Sequence, residues 1–145
     1  MRIIAGDYKG RRLQSPQDYS IRPTTDKVKE ALFSILTEKI WGSRVLDLFA
    51  GTGNLGIEAL SRGAETCVFA DSSRESLRLI RENIAHCKAE EGARVEAVFI
   101  LDHQIHSSPY QKSTSFFQIP DRGTCPSVFI VSREKEQQIL QSMDI

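Results

Sequence analysis

The chain is 145 residues long, balances 19 Lys/Arg against 19 Asp/Glu, and is 40% hydrophobic and 26% charged. That composition belongs to one globular domain and excludes a disordered chain or a disulfide scaffold. No apolar run approaches the ~20 residues of a membrane span, so no membrane role is expected.

The neutral total is unevenly spread. Residues 1–44 hold nine Lys/Arg against five Asp/Glu, and residues 45–145 hold ten against fourteen. A basic end that meets a polyanion and a more acidic body is one reading of this polarity. Cys67, Cys87 and Cys125 are odd in number and form no close pair, which fits a reducing compartment. Asp7 follows Met1–Gly6 directly and leaves no apolar leader, so a cytoplasmic protein is expected.

Residues 2–14 read as a β-hairpin around Gly6–Gly10, carrying Arg2, Lys9, Arg11 and Arg12 beside Tyr8. Cations and an aromatic on a small exposed element suit phosphate contact and base stacking, although a solvated hairpin capping a sheet has the same pattern. Residues 15–22 form a polar connector with Pro16, so 1–22 is set apart from an α/β body over 23–145. Pro23, Thr24 or Thr25 as cap, and Asp26 in the first turn mark a helix start. Val28, Leu32, Ile35 and Leu36 predict its buried stripe, and the helix reaches about Lys39 before Trp41-Gly42 closes it.

The organising stretch is Arg44–Glu58. Val45, Leu46, Leu48 and Phe49 make a short apolar run expected of a buried parallel strand. Gly51 and Gly53 then allow a sharp turn, and a helix follows that aims unpaired N–H groups into the loop. Such a cradle at a strand's carboxyl end suits an adenosine-bearing cofactor. Gly51-x-Gly53-x-x-Gly56, with Asp71 ~20 residues on, also matches the dinucleotide fingerprint. Asp47 separates the two cases. A carboxylate beside the loop gains nothing from a pyrophosphate, whereas a sulfonium cofactor with an ammonium group welcomes it.

After the loop, Leu55–Arg62 predicts a short helix stopped by Gly63, and Thr66–Asp71 a second strand. Asp71 suits the cofactor ribose or a helix cap, and Ser72 with Glu75 makes a capping box. Leu77, Ile80, Ile84 and Cys87 line the next helix, drawn to end near Gly92. Val95–Leu101 is a plausible strand ending in Asp102. Residues 113–126 read as loop, Ser127–Val131 as a strand and Ser132–Met143 as a polar helix. The fold class is thus α/β, Rossmann-like and three-layered with a mostly parallel sheet, and incomplete, because seven strands do not fit. His103-x-x-His106 lacks a clear third ligand, so no metal is expected.

Val45–Gly53 resembles the first motif of class I S-adenosylmethionine methyltransferases. Taken with Arg2–Gly6, Gly10–Leu13, Arg22–Phe33 and Glu58–Ala64, in this order and spacing, the chain is similar to the bacterial 16S ribosomal RNA guanine-N2 methyltransferases, the RsmD family. The resemblance covers residues 1 to about 90 and implies S-adenosylmethionine as cofactor. It places Asp47, Phe49, Ala50, Gly51, Thr52, Gly53, Asn54, Asp71 and Ser72 around that cofactor. Arg2, Lys9, Arg11, Arg12, Arg22 and Lys27 would meet the phosphates of small-subunit ribosomal RNA, free or in an assembling 30S subunit, with the protein a monomer.

Residues 95–145 depart from the family, as an atypical or truncated C-terminal third. The family's catalytic acid or amide is followed directly by Pro-Pro and an aromatic. Here Asp102 is separated from Pro109 and Tyr110 by residues 103–108. These three are the catalytic candidates. Two alternatives stand beside the enzyme: a non-catalytic cofactor- or RNA-binding relative that has lost the motif, and a nicotinamide-dependent enzyme.

Overall fold

The computed structural model describes residues 1–17, 25–97 and 128–131. Its centre is β1 (Arg44–Leu48), flanked by β2 (Thr66–Asp71) on one side and β4 (Val128–Val131) on the other. With β3 (Ala93–Ala97) outside β2, the sheet runs β3-β2-β1-β4 with every pair parallel. The strand order therefore reverses at β1, which is where an open α/β sheet offers its ligand crevice.

The period-two alternation of the strands sorts their side chains to two faces. Val45, Cys67, Phe69, Val128 and Ile130 join the main core, together with Phe33, Ile57, Ile80 and Ile84 from the helices. Leu46 and Ala70 form a smaller cluster with Leu48 and Val68. Full burial of Phe33, Phe69, Ile57 and Ile80 contributes roughly 1.5–3 kcal/mol each. That holds α1 (Asp26–Ile40), α2 (Asn54–Ser61) and α3 (Arg74–Cys87) to the sheet.

Thr25 caps α1, accepting the Val28 N–H with Asp26 in the first turn, as the cap signal predicts. The buried stripe of α1 is only in part the predicted one: Leu32 and Leu36 pack half-buried against the core. Lys29, Phe33 and Ile40 face inward, whereas Val28 and Ile35 are 52% and 80% exposed. Hydrophobic spacing alone points to Val28, but a buried acid on α2 draws Lys29 inside and turns the helix with it.

Three boundaries also shift. β1 stops at Leu48, and Phe49 turns into the left-handed region at φ 58°. α3 is capped by Ser73, whose hydroxyl accepts the Ser76 N–H, rather than by Ser72. It ends at Cys87 and not near Gly92, with Lys88 left-handed at φ 55° and a 3₁₀ turn, Glu90–Gly92, leading into β3.

The N-terminal segment closes as a small antiparallel loop. Arg2 bridges Arg12, and the Ile3 and Gly10 N–H groups donate to Arg11 and Ile3 carbonyls. Ile3 and Leu13 are buried in the main core, so the hairpin and the α/β body share one interior. Gly6 reaches α2 so closely that a Cβ there would lie 1.8 Å from the Ser61 carbonyl oxygen. Among the described residues no helix is long and apolar enough to cross a membrane. The drawn strand from residue 98 to Leu101, the 113–126 loop, the Ser132–Met143 helix, His103 and His106 lie outside the described residues.

Candidate functional site

The loop between β1 and α2 is held by its own backbone and by two neighbouring side chains. Ala50 N–H donates to Ala70 O at 3.0 Å and Gly53 N–H to Ala50 O at 2.9 Å. The Asn83 amide of α3 donates to Thr52 O at 2.9 Å and also grips Gln14 through both its oxygen and its nitrogen. Gly51 and Gly53 take φ of 63° and 81°, backbone that glycine adopts freely. Phe49 adopts φ 58° without that freedom, a strain of about 1–3 kcal/mol of the kind stored at ligand sites.

Asp71, at the end of β2, spans the loop and the next helix. Its Oδ2 accepts the Gly51 N–H at 3.0 Å and its Oδ1 accepts the Ser73 N–H at 3.0 Å. Each oxygen keeps a second lone pair, so the carboxylate can also accept hydroxyl donors from a ribose. Ser72 is exposed beside it. Asp71 is thus not the cap of α3, a place that Ser73 takes, but it braces the residue that is.

Asp47 sits under the loop rather than beside it. It is 2% exposed, and its Oδ2 accepts the Gly56 N–H in the first turn of α2 at 2.9 Å. Burial raises its pKa to about 7, opposed by the Gly56 bond and reinforced by the charge of Asp71. A carboxyl whose folded pKa lies above its unfolded value binds more protons when folded. Stability is then highest below the unfolded pKa near 4 and falls as pH rises toward 7. Asp47→Asn keeps an acceptor for Gly56 and removes the titration. Relative to it, the native chain is expected to lose urea stability between about pH 4 and 7. A difference that does not vary with pH would contradict the burial of an ionisable Asp47.

The donor set discriminates between cofactors. No Lys or Arg occurs from Val45 to Ser61, and the α2 N–H that a phosphate would seek is already taken by Asp47. Two carboxyl groups and, among the described residues, no exposed cation on the loop oppose a pyrophosphate and suit a cationic group with an attached ribose. Thr52, Gly53 and Asn54 are buried within the turn, and Phe49, Ala50 and Gly51 are half-buried on it. Of the nine predicted cofactor residues, Phe49–Asn54 lie on the turn from β1 into α2 and Asp71 and Ser72 at the β2 end, whereas Asp47 lies within β1 beneath the loop.

The predicted RNA cations divide. Arg2 pairs with Asp26 at 3.2 Å on the surface, and Arg11 donates to the Cys87 carbonyl while lying 5.2 Å over the Tyr8 ring. Lys9, Arg12 and Lys27 are exposed and make no ion pair with a described residue. Arg22, Asp102, Pro109 and Tyr110 lie outside the described residues. Among those described, no group of His, Cys, Asp and Glu could hold a metal ion.

Two residues that sequence reasoning passed over, Lys29 and Glu58, are each 0% exposed. Lys29 Nζ lies 2.9 Å from Glu58 Oε2, and also donates to Asn54 Oδ1 at 2.7 Å and to Arg2 O. Glu58 further accepts from the Ile4 and Ala5 N–H groups and from Arg62 Nε at 3.0 Å. A signal existed: Glu58 is the one charge in the otherwise apolar α2, so it needs a buried partner.

A parallel sheet in this order, with a glycine loop after β1 and an acid closing β2, is the class I methyltransferase fold, present here in part. Residues 1–119 match the family described as Conserved hypothetical protein 95. The chain belongs to that family, the RsmD family. The match runs past residue 90, the expected end of the resemblance, and takes in Asp102, Pro109 and Tyr110.

The chain is similar to YlbH of Bacillus subtilis, provisionally named an rRNA methyltransferase, at 46% identity over 95 residues. Those residues are 66% of this chain and 52% of that one. It is 43% identical over 89 residues to the ribosomal RNA small subunit methyltransferase D of Escherichia coli, covering 61% of this chain and 45% of the relative. The solved structure of yhhF from Escherichia coli, provisionally named a methyltransferase, superposes with a TM-score of 0.59 at 41% identity, over 66% of this chain and 50% of that one. The chain spans about half the length of these relatives.

Proposed function

We propose that the chain is an S-adenosylmethionine-dependent methyltransferase acting on the exocyclic N2 of a guanine in small-subunit ribosomal RNA. The observation that carries this reading is the loop itself, with two carboxyl groups, no exposed cation among the described residues, and lone pairs on Asp71 for ribose hydroxyls. Family membership and the names of the relatives support the substrate class. The cofactor supplies an electrophilic methyl on a sulfonium. In this reading Phe49–Asn54 and Ser72 surround the adenosine and methionine parts, Asp71 takes the ribose, and Asp47 sets the head of α2 and the local negative field.

A guanine N2 has its lone pair delocalised into the ring, so alignment must supply most of the catalysis. Asp102 is our candidate to accept an N2 hydrogen, and Pro109-Tyr110 to present a carbonyl and stack the extruded base. Lys9, Arg12 and Lys27 are the cations best placed for RNA phosphate, since Arg2 and Arg11 already hold protein groups. The protein acts as a cytoplasmic monomer on free rRNA or an assembling 30S subunit. The separation of Asp102 from Pro109 favours one second reading, a relative that binds cofactor or RNA without transferring methyl.

Calorimetric titration with S-adenosylhomocysteine and, separately, NADH tests the cofactor assignment. Saturable binding of the first and none of the second is expected. The reverse order would make the loop a dinucleotide site.

A further inference from the structure

The Lys29–Glu58 pair is more than a core ion pair, because its two ends reach different functional parts. On one side Glu58 holds the Ile4 and Ala5 amides and Lys29 holds the Arg2 carbonyl, all on the basic hairpin. On the other side Lys29 holds Asn54 Oδ1 at 2.7 Å, and Asn54 is the first residue of α2 after the glycine loop. Ser61, at the far end of the same helix, bonds Ala5, Asp7 and Tyr8 of the hairpin. The N-terminal segment therefore holds α2 at Glu58 and Ser61 and reaches its first residue through Lys29, beside the Asn83 bridge from Gln14 to Thr52 and the Thr52 hydroxyl on Met1 Sδ.

We infer that Lys29 is a positioning residue: its buried ammonium fixes Asn54, and so couples the placement of the N-terminal hairpin to the affinity of the glycine loop for its ligand. The inference rests on the loop being the cofactor site. A primary ammonium suits this place because it offers three donors, and three acceptors surround it: Arg2 O, Asn54 Oδ1 and Glu58 Oε2. At 0% exposure no water competes for those bonds, so a displacement of the hairpin is passed to Asn54 rather than absorbed by solvent. By linkage, whatever orders the hairpin tightens the loop's ligand, and the ligand tightens the hairpin's partner by the same factor.

A double-mutant cycle reads the coupling. Lys29→Met keeps most of the side-chain volume and leaves Glu58 its Arg62 counter-charge and two backbone donors. S-adenosylhomocysteine affinity is measured for the native chain, Lys29→Met, Asn54→Ala and the double variant. Lys29→Met is expected to weaken binding about tenfold on its own and to have no further effect once Asn54 is Ala, because both remove one interaction. Independent, multiplying effects, or no loss in Lys29→Met, would overturn the proposal.

A second measurement uses the unaltered chain and no cofactor. Native-state hydrogen exchange in mild urea should show the Ile4 and Ala5 amides opening in the same cooperative step as Gly56 and Ile57. Hairpin amides that exchange while Gly56 and Ile57 stay protected would overturn the coupling. A native chain that binds no S-adenosylhomocysteine would count against the methyltransferase reading, and loss of the common opening step in Lys29→Met, with Glu58 unchanged, would still decide the role of Lys29.

Discussion

Glu58→Ala is expected to destabilise the chain by about 3–5 kcal/mol, the cost of leaving a buried charge without its partner. The substitution strands Lys29, which is 0% exposed, and removes the acceptor from the Ile4 and Ala5 amides and from Arg62. Losing those bonds adds a desolvation cost of roughly 1–3 kcal/mol for each group that finds no water. Arg62 relaxes most easily, since it is 21% exposed and lies 4.8 Å over the Phe33 ring. For a chain of this size the loss corresponds to a fall in Tm of roughly 10 °C. Urea midpoints for Glu58→Ala and the native chain check it, and a difference below about 1 kcal/mol would mean the pair is not buried as described.

The second large effect belongs to Gly56. An alanine Cβ there would lie 2.3 Å from the Phe69 ring, 2.8 Å from Cys67 Sγ and 2.9 Å from Asp47 Oδ2. Two of these neighbours belong to the close-packed core and cannot retreat far. Alanine would gain up to about 1 kcal/mol of helix propensity over glycine. Overpacking costs about 1–3 kcal/mol, so a net loss is expected. Because α2 must lift from β1 and β2, the Asp47–Gly56 bond lengthens and the loop moves with it. S-adenosylhomocysteine affinity is expected to fall tenfold or more in Gly56→Ala. Gly42→Ala, between α1 and β1, is the control: its φ of 69° strains an alanine, but no atom lies within 4 Å of the added carbon. Its ligand affinity should match that of the native chain, and a Gly56→Ala protein with native affinity would refute the close-packing account.

Much of the fold was legible because its signals are local. The Thr66–Asp71 strand, the Thr25 cap and the apolar face of Leu77, Ile80, Ile84 and Cys87 depend on neighbours a few residues away, and all were found as drawn. The glycine loop between β1 and α2 was legible for the same reason, since strand, glycines and helix are contiguous. What escaped depends on partners distant in sequence. Lys29 and Glu58 are 29 residues apart, and neither has a helical neighbour that announces the pairing. Val28 and Ile35 looked like core because spacing weighs hydrophobicity and not the pull of a buried acid. Arg2 and Arg11 looked like free cations, yet Asp26 and the Cys87 carbonyl hold them from 24 and 76 residues away. Asn83 stands in a helix with nothing nearby in sequence to mark it, and it clamps both Thr52 and Gln14.

Methyl transfer to guanine N2 is read out by supplying labelled S-adenosylmethionine to under-methylated small ribosomal subunits and mapping the labelled base. The account predicts label on a guanine N2, lost in Asp71→Ala and in Lys9→Glu/Arg12→Glu. Binding of S-adenosylhomocysteine by the folded chain with no label on any guanine would contradict it, and would make this a binding relative whose separated Asp102 and Pro109-Tyr110 no longer perform the transfer.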